Sequence, residues 1–185
     1  MGNWIQTYSG KKVDPLNLKP EDVEIIDIAH SLALTCRFTG HCPEFYSVAQ
    51  HSVLVSQHCP TEKLWGLLHD APEAYMADIS RPVKQGIRDK HGQILDNIEW
   101  SIMEAIIKKF NLPEPKDGRS TPKEVLDADL QMLLTEGKHF FGKTKMYYEW
   151  ESLYGNNTIQ PSTIVCWTWQ QAEEAFLQAF MELTK

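Results

Sequence analysis

The stretch Leu64 to Asp78, LWGLLHDAPEAYMAD, constrains this chain more than any other. Leu64, Trp65, Leu67 and Leu68 recur as on a helix whose apolar side turns inward, and the run then delivers His69, Asp70 and Glu73. Spacings of three and four residues put Glu73 on the same helical face as Asp70 and His69. An imidazole and two carboxylates on the buried side of a helix are costly unless something compensates them. A divalent cation compensates all three at once, because it takes neutral imidazole nitrogen and carboxylate oxygen together and removes the repulsion between the acids. The other reading of these residues is an acidic cluster on a solvated helix surface.

A chain of 185 residues suits one domain, 1–185, with a core that needs no covalent staples. A hydrophobic content of 42% against 23% charged residues is that of a folded globular chain rather than a disordered one. The net charge of -7, with no run of Lys or Arg, argues against a nucleic-acid polymer as partner. A small anionic substrate, held by a few cations beside a metal, remains compatible with it. Cys36, Cys42, Cys59 and Cys166 form no CxxC pair, a pattern of reduced thiols. The N-terminus has no apolar leader core, and no stretch approaches the ~20 apolar residues that span a bilayer. These features predict a cytoplasmic protein without a membrane partner.

Alternation over Asn3 to Tyr8, interrupted by Ser9-Gly10, predicts a short β-hairpin with Lys11 to Val13. Ile25, Ile28, Ala29, Leu32, Ala33 and Cys36 then predict a helix ending near Gly40. Ser47 caps a second helix through His51, Val53 and Val55. The organising helix follows, then a helical turn over Val83 to Arg88 and a long helix from about Gln93 to Phe110. A polar loop covers Lys116 to Ser120, and Thr121-Pro122-Lys123-Glu124 matches a capping box that starts a helix with Leu126, Asp129, Leu130 and Leu133 inward. A short helix near Met146 to Tyr154 and an amphipathic one from Thr168 to Leu183 complete an all-α bundle with one hairpin.

The short connection after the second helix makes it an antiparallel neighbour of the third, so His51 faces His69. Asp129 lies on an apolar stripe and needs a partner of its own. His51, His69, Asp70 and Asp129 together make a mixed nitrogen and oxygen site suited to Zn, Mn, Co or Fe. Cys36, His41 and Cys42 lack a second ligand pair for structural zinc, and His41 reads better as pocket wall.

The order His51, His69-Asp70, Asp129 resembles the ligand pattern of the HD-domain metal phosphohydrolases. CRFTGH, FYSVAQHS, HDAPEAY, ADISRPVK and the later Ala128-Asp129 are similar to segments of the small bacterial and phage members, over roughly Trp4 to Glu136. The resemblance implies an HD helical bundle and assigns His51, His69, Asp70 and Asp129 as metal ligands, with Asp127 as the competitor for the last place. It implies that Glu73 orients or deprotonates the attacking water and that Asp78 lies near the sugar and leaving group. Arg37 and Lys84 match phosphate-facing cations, with Arg81 a further candidate, and Phe38 with Trp4 to Thr7 is expected to wall the base. The implied activity is hydrolysis of phosphate from 2′-deoxynucleotides, dATP first, then dADP and dAMP. The alternatives are a 5′-deoxynucleotidase acting on dNMPs and a nucleotide-binding HD protein without catalysis. A homodimer or a larger even assembly is implied as well.

Overall fold

Apart from its N-terminal hairpin the chain is helical, as its apolar periodicities predict. The computed structural model describes residues 2–115, 118–159 and 163–185, without the side chain of Met146. Strands β1 (Ile5–Gln6) and β2 (Lys12–Val13) pair antiparallel, with Ile5 opposite Val13. The helices are α1 (Ile25–Leu34), α2 (Val48–His58), α3 (Lys63–Leu68), α4 (Glu73–Met76), α5 (Arg81–His91), α6 (Ile94–Phe110), α7 (Lys123–Phe141), α8 (Lys145–Tyr154) and α9 (Trp169–Leu183). Of the polar loop expected over 116–120, Lys116 and Asp117 lie outside the described residues. No helix among the described residues is long and apolar enough to cross a membrane.

Helix α2 is the hub. The Ser47 hydroxyl caps it by accepting the Gln50 N–H at 3.1 Å. Val48, Ala49, Val53 and Val55 are all buried, so α2 offers apolar surface in several directions and packs against α1, α3, α7 and α9. Gly66 is what lets α3 come close: a Cβ there would meet Cys59 Sγ at 2.6 Å and Ser56 Cα at 3.0 Å. Trp65, Leu67 and Leu68 of α3, Ile28 and Leu32 of α1, and Phe176 of α9 fill the core around it. The amide of buried Gln50 ties α2 to the C-terminal segment, with Nε2 donating to Val165 O at 2.8 Å and Oε1 accepting Trp167 N–H at 2.9 Å. That segment leads to Thr168 and Gln171, which form the capping box of α9.

Four departures from the sequence expectation position the site. Helix α1 stops at Leu34 rather than near Gly40, because the next residues pair with the approach to α2: Arg37 N–H donates to Tyr46 O at 2.8 Å and Val48 N–H to Thr35 O at 3.0 Å. Leu64 to Asp78 is two helices and not one. Pro72 has no N–H to continue the α-helical ladder, and the bonds Ala71 N–H to Leu68 O (3.0 Å) and Glu73 N–H to Asp70 O (3.0 Å) take the three-residue step of a 3₁₀ turn. At that step Asp70 and Glu73 are nearly eclipsed. The capping box at Thr121 to Glu124 does not form. Glu124 instead accepts the Thr61 N–H at 2.9 Å and the Thr61 hydroxyl at 2.8 Å, placing its charge at the N-terminus of α3. Finally, the inward stripe of α7 is Val125, Ala128, Met132, Thr135 and Glu136, whereas Leu126 is exposed.

Candidate metal centre

Helix α2 brings His51 to the site, the α3–α4 junction brings His69, Asp70 and Glu73, and α7 brings Asp129. The two imidazole centroids are 5.3 Å apart. One ligand atom from each of His51, His69 and Asp70 lies within 4.8 Å of the other two, a spacing that fits bonds of about 2.0–2.2 Å to one shared ion. Asp70 Oδ2 stands 3.7 Å from His51 Nε2 and 3.3 Å from His69 Nε2, and Asp129 Oδ1 stands 3.2 and 3.9 Å from the same atoms. Both Nε2 atoms are buried and neither makes a hydrogen bond of sound geometry. The Nδ1 atoms are engaged, that of His69 with Gly66 O at 2.8 Å and that of His51 with Glu136 Oε1 at 2.6 Å. A carbonyl only accepts, so His69 carries its proton on Nδ1 and turns a lone pair inward at Nε2. The Glu136 carboxylate favours the same tautomer at His51. Asp127, the competitor for the last ligand position, pairs on the surface with Lys123 at 2.6 Å.

Glu136 is the residue of the candidate site that spacing and motif miss. It is completely buried; Oε1 accepts the Tyr46 hydroxyl at 2.8 Å, and Oε2 faces Arg37 Nε at 3.2 Å and Nη2 at 3.1 Å. Arg37 Nη1 in turn lies 3.5 Å from Asp70 Oδ2. One carboxylate thus holds a candidate ligand, the candidate phosphate-binding cation and a tyrosine. The available signal was its position two helical turns after Asp129, on the buried face. Burial alone would hold the Glu136 and Asp129 carboxyls up, yet Arg37 and His51 bring Glu136 below the usual range and His51, His69 and Arg37 bring Asp129 well below it. For His51, burial and Arg37 act downward, but Glu136 and Asp129 outweigh them and raise it to about 9.

Glu73 is buried and its Oε2 has no hydrogen-bond partner. Burial, reinforced by Asp70 and Asp78, pushes its carboxyl up to about 9 against the pull of Arg37 and Lys84. Asp78 is raised by burial and by Asp70, with Arg37 and Lys84 opposing. It follows Ala77, whose φ of 71° and ψ of 158° is a conformation ordinarily left to glycine, costing of order 1–3 kcal/mol. Lys84 sits at the rim with Nζ on both oxygens of Glu99, at 2.9 and 2.8 Å. The Arg37 guanidinium lies 5.6 Å from the Phe38 ring centroid, and that ring also packs against Phe140, Phe141 and Trp150. Ile5 to Tyr8 line a separate hollow against α1, with His30 and Tyr75. His41, expected as pocket wall, and Arg81 are exposed.

No family model matches the chain. Over 135 residues, covering 72% of this chain and 70% of the relative, it is 44% identical to the uncharacterized protein YfdR of Escherichia coli (strain K12). The chain belongs to the YfdR family. It is also 36% identical over 120 residues to an uncharacterized protein of Rhodobacter capsulatus, covering 60% of this chain and 59% of that one. Neither name states an activity, so the chemistry of this YfdR-family chain is argued from its site.

Proposed function

We propose that this YfdR-family protein is an HD-type, metal-dependent phosphohydrolase that removes phosphate from 2′-deoxynucleotides, dATP foremost, with dADP and dAMP as further substrates. The observation that carries this reading is the pair of buried Nε2 atoms of His51 and His69, both without hydrogen bonds and both beside Asp70 and Asp129. An unpaired buried polar atom costs about 1–3 kcal/mol, which a cation would remove. His51, His69, Asp70 and Asp129 would hold Zn, Mn, Co or Fe, and Mg would enter with the phosphates. When bound, such an ion supplies Lewis acidity and an acidified water near neutral pH.

The remaining roles belong to the chain's own side chains. Glu73, with Oε2 unengaged, orients the attacking water and takes its proton; the divalent charge beside it acts against the burial that holds its carboxyl up. Arg37, anchored through Nε and Nη2, balances charge on the phosphoryl oxygens, and Lys84 assists from the rim. Asp78 serves the sugar and leaving-group side, and Phe38 the base side. A cleft of about 410 Å³ beside His69, with Pro72, Arg88, Trp100 and Arg119 among its walls, falls in the range of small-molecule sites. Cytoplasmic location and a homodimer or larger even assembly belong to the same proposal.

The test is product chromatography over a panel of dNTPs, dNDPs and dNMPs with Mn, Co or Mg. Inorganic triphosphate from dATP marks attack at the α-phosphorus, and single phosphates mark stepwise removal. Turnover confined to dNMPs would make the protein a 5′-deoxynucleotidase, and no turnover of any nucleotide would overturn the enzyme reading.

A further inference from the structure

Beside the candidate ligands lies a second reactive pair. Cys36 and Cys42 are both half-buried and reduced, with Sγ atoms 3.6 Å apart. They close the loop that carries Arg37 and Phe38. At one end Cys36 bridges to Ser47 while Arg37 N–H donates to Tyr46 O, so this end is fixed to the start of α2. At the other, Cys42 Sγ lies 3.7 Å from Arg37 O and donates to it. Between them Phe38, Thr39 and Gly40 all have left-handed φ, at 55°, 54° and 75°. Two of these are not glycine, so the chain accepts strain to fold back and bring the sulfurs together. No third His, Cys, Asp or Glu stands with the pair at metal-ligating spacing among the described residues.

We propose that Cys36 and Cys42 form a reversible oxidation site, a dithiol that closes to a disulfide against a small-molecule disulfide oxidant and in closing resets Arg37. One protein thiolate attacks a sulfur of the oxidant, RSSR, and releases one thiol, RSH, leaving a mixed disulfide. The second cysteine then attacks the protein-side sulfur, forming the Cys36–Cys42 bond and releasing the second RSH. The balance is two protein thiols plus RSSR to one protein disulfide plus two RSH, with two electrons passing to the oxidant. Burial pushes the Cys42 thiol up to about 11, which disfavours it as the first attacker; in the second step its 3.6 Å distance from Cys36 Sγ offsets the small thiolate fraction. Closure removes the Cys42 donor from Arg37 O and encloses Arg37 in a ring of residues 36–42. The effect on Arg37's phosphate role rests on the proposed function; the covalent bond does not.

The experiment is incubation of the full chain with glutathione disulfide, alkylation of the remaining thiols, and peptide mapping by mass spectrometry. The expected product is a Cys36–Cys42 peptide two hydrogens lighter, with Cys59 and Cys166 alkylated, restored by dithiothreitol and absent in Cys36→Ser and in Cys42→Ser. With nucleotide, the oxidised form is expected to show a KM raised several-fold at unchanged metal content. Alkylation of both Cys36 and Cys42 across the oxidant range, a stable mixed disulfide, or a Cys36–Cys166 bond would overturn the site. Formation of the bond with an unchanged KM would overturn the coupling to Arg37. Formation of the bond in a protein that turns over no nucleotide in either redox form would leave the oxidation site standing and remove the phosphohydrolase reading.

Discussion

The α2–α7 wall and the α3–α4 junction bring the same kinds of side chain to the site under opposite conditions. On the wall, two regular helices face each other, and Glu136 has His51, Arg37 and Tyr46 on its two oxygens. At the junction the helix is broken, Glu73 Oε2 and His69 Nε2 are buried without partners, and Ala77 holds a backbone conformation suited to glycine. On the wall the fully bonded Glu136 carboxylate fixes orientation and charge, while the junction, together with His51 Nε2 3.7 Å from Asp70 Oδ2, leaves polar atoms ready for an incoming group. Asp70 joins the two, reaching His69 at 3.3 Å and Arg37 at 3.5 Å.

Replacing that link has the largest expected effect. Asp70→Ala should abolish metal binding and turnover together, since it removes a proposed ligand and one negative charge from the centre. Elemental analysis showing metal at wild-type stoichiometry in the variant would break the assignment. Glu73→Gln should act on one side only, lowering kcat by roughly 10²–10⁴-fold while metal content stays the same, as for a proton-transfer group. Its thermal stability should match or exceed that of the wild type, because a buried carboxyl without a partner is replaced by a neutral amide. A variant lacking both metal and activity would move Glu73 into the ligand set.

Glu136→Gln is the corresponding change on the wall and should behave differently. Metal affinity or turnover falls by about 10–100-fold, the usual effect of losing the partner that orients a ligating histidine. The fold also weakens, because Arg37 keeps its charge in a buried place and loses the nearer of its two counter-charges, Asp70 at 3.5 Å remaining; breaking buried pairs costs up to about 3–5 kcal/mol. Denaturant melts of the metal-free Glu73 and Glu136 variants, run side by side, would test the contrast. Equal stabilities would dissolve the distinction between the two regions.

The pH dependence of His51 sharpens the same contrast. Its folded pKa of about 9 in the metal-free site lies above the ordinary 6.5. Its contribution to stability is therefore fully present below about pH 6.5 and is lost as pH rises through about 9. A metal needs the neutral ring, so metal binding should release a proton and its apparent affinity should rise over the same window. Calorimetric titration of metal in buffers of different ionisation enthalpy measures that proton directly. Binding independent of pH between 6.5 and 9 would take His51 out of the ligand set.

The features legible in the sequence were those with a period or a compact spacing. Helical stripes gave the bundle, and His69, Asp70 and Glu73 came from neighbouring positions that remain neighbours despite the break at Pro72, because a 3₁₀ step also brings residues three apart to one side. Glu136 was invisible because a single carboxylate in a mixed stripe reads as a solvated position until Arg37, Tyr46 and His51 are seen around it. Glu124 departs from its local spacing for a related reason. Its spacing from Thr121 satisfies a local rule, but the donors it takes are Thr61 and Glu62, more than 60 residues away in sequence and brought near only by tertiary packing. The left-handed Phe38 and Thr39 carry no compositional mark, since the usual signal for such backbone is glycine or asparagine.

Lys84 tests where the junction ends, and its effect should be the smallest. Its ammonium is already bound to both oxygens of Glu99, so contact with a phosphate has to replace an ion pair that exists without substrate. A partly exposed pair of this kind contributes about 0–1 kcal/mol, and the exchange of one carboxylate for one phosphoryl oxygen gains less than a free cation would. Lys84→Ala should therefore raise KM by less than about 10-fold, with kcat and metal content little changed. Glu99→Gln should have the opposite sign, lowering KM by leaving Lys84 free to turn toward the substrate. If Lys84→Ala instead lowers kcat as strongly as Glu73→Gln, Lys84 acts in the transition state, and the reactive half of the site reaches from the α3–α4 junction into α5.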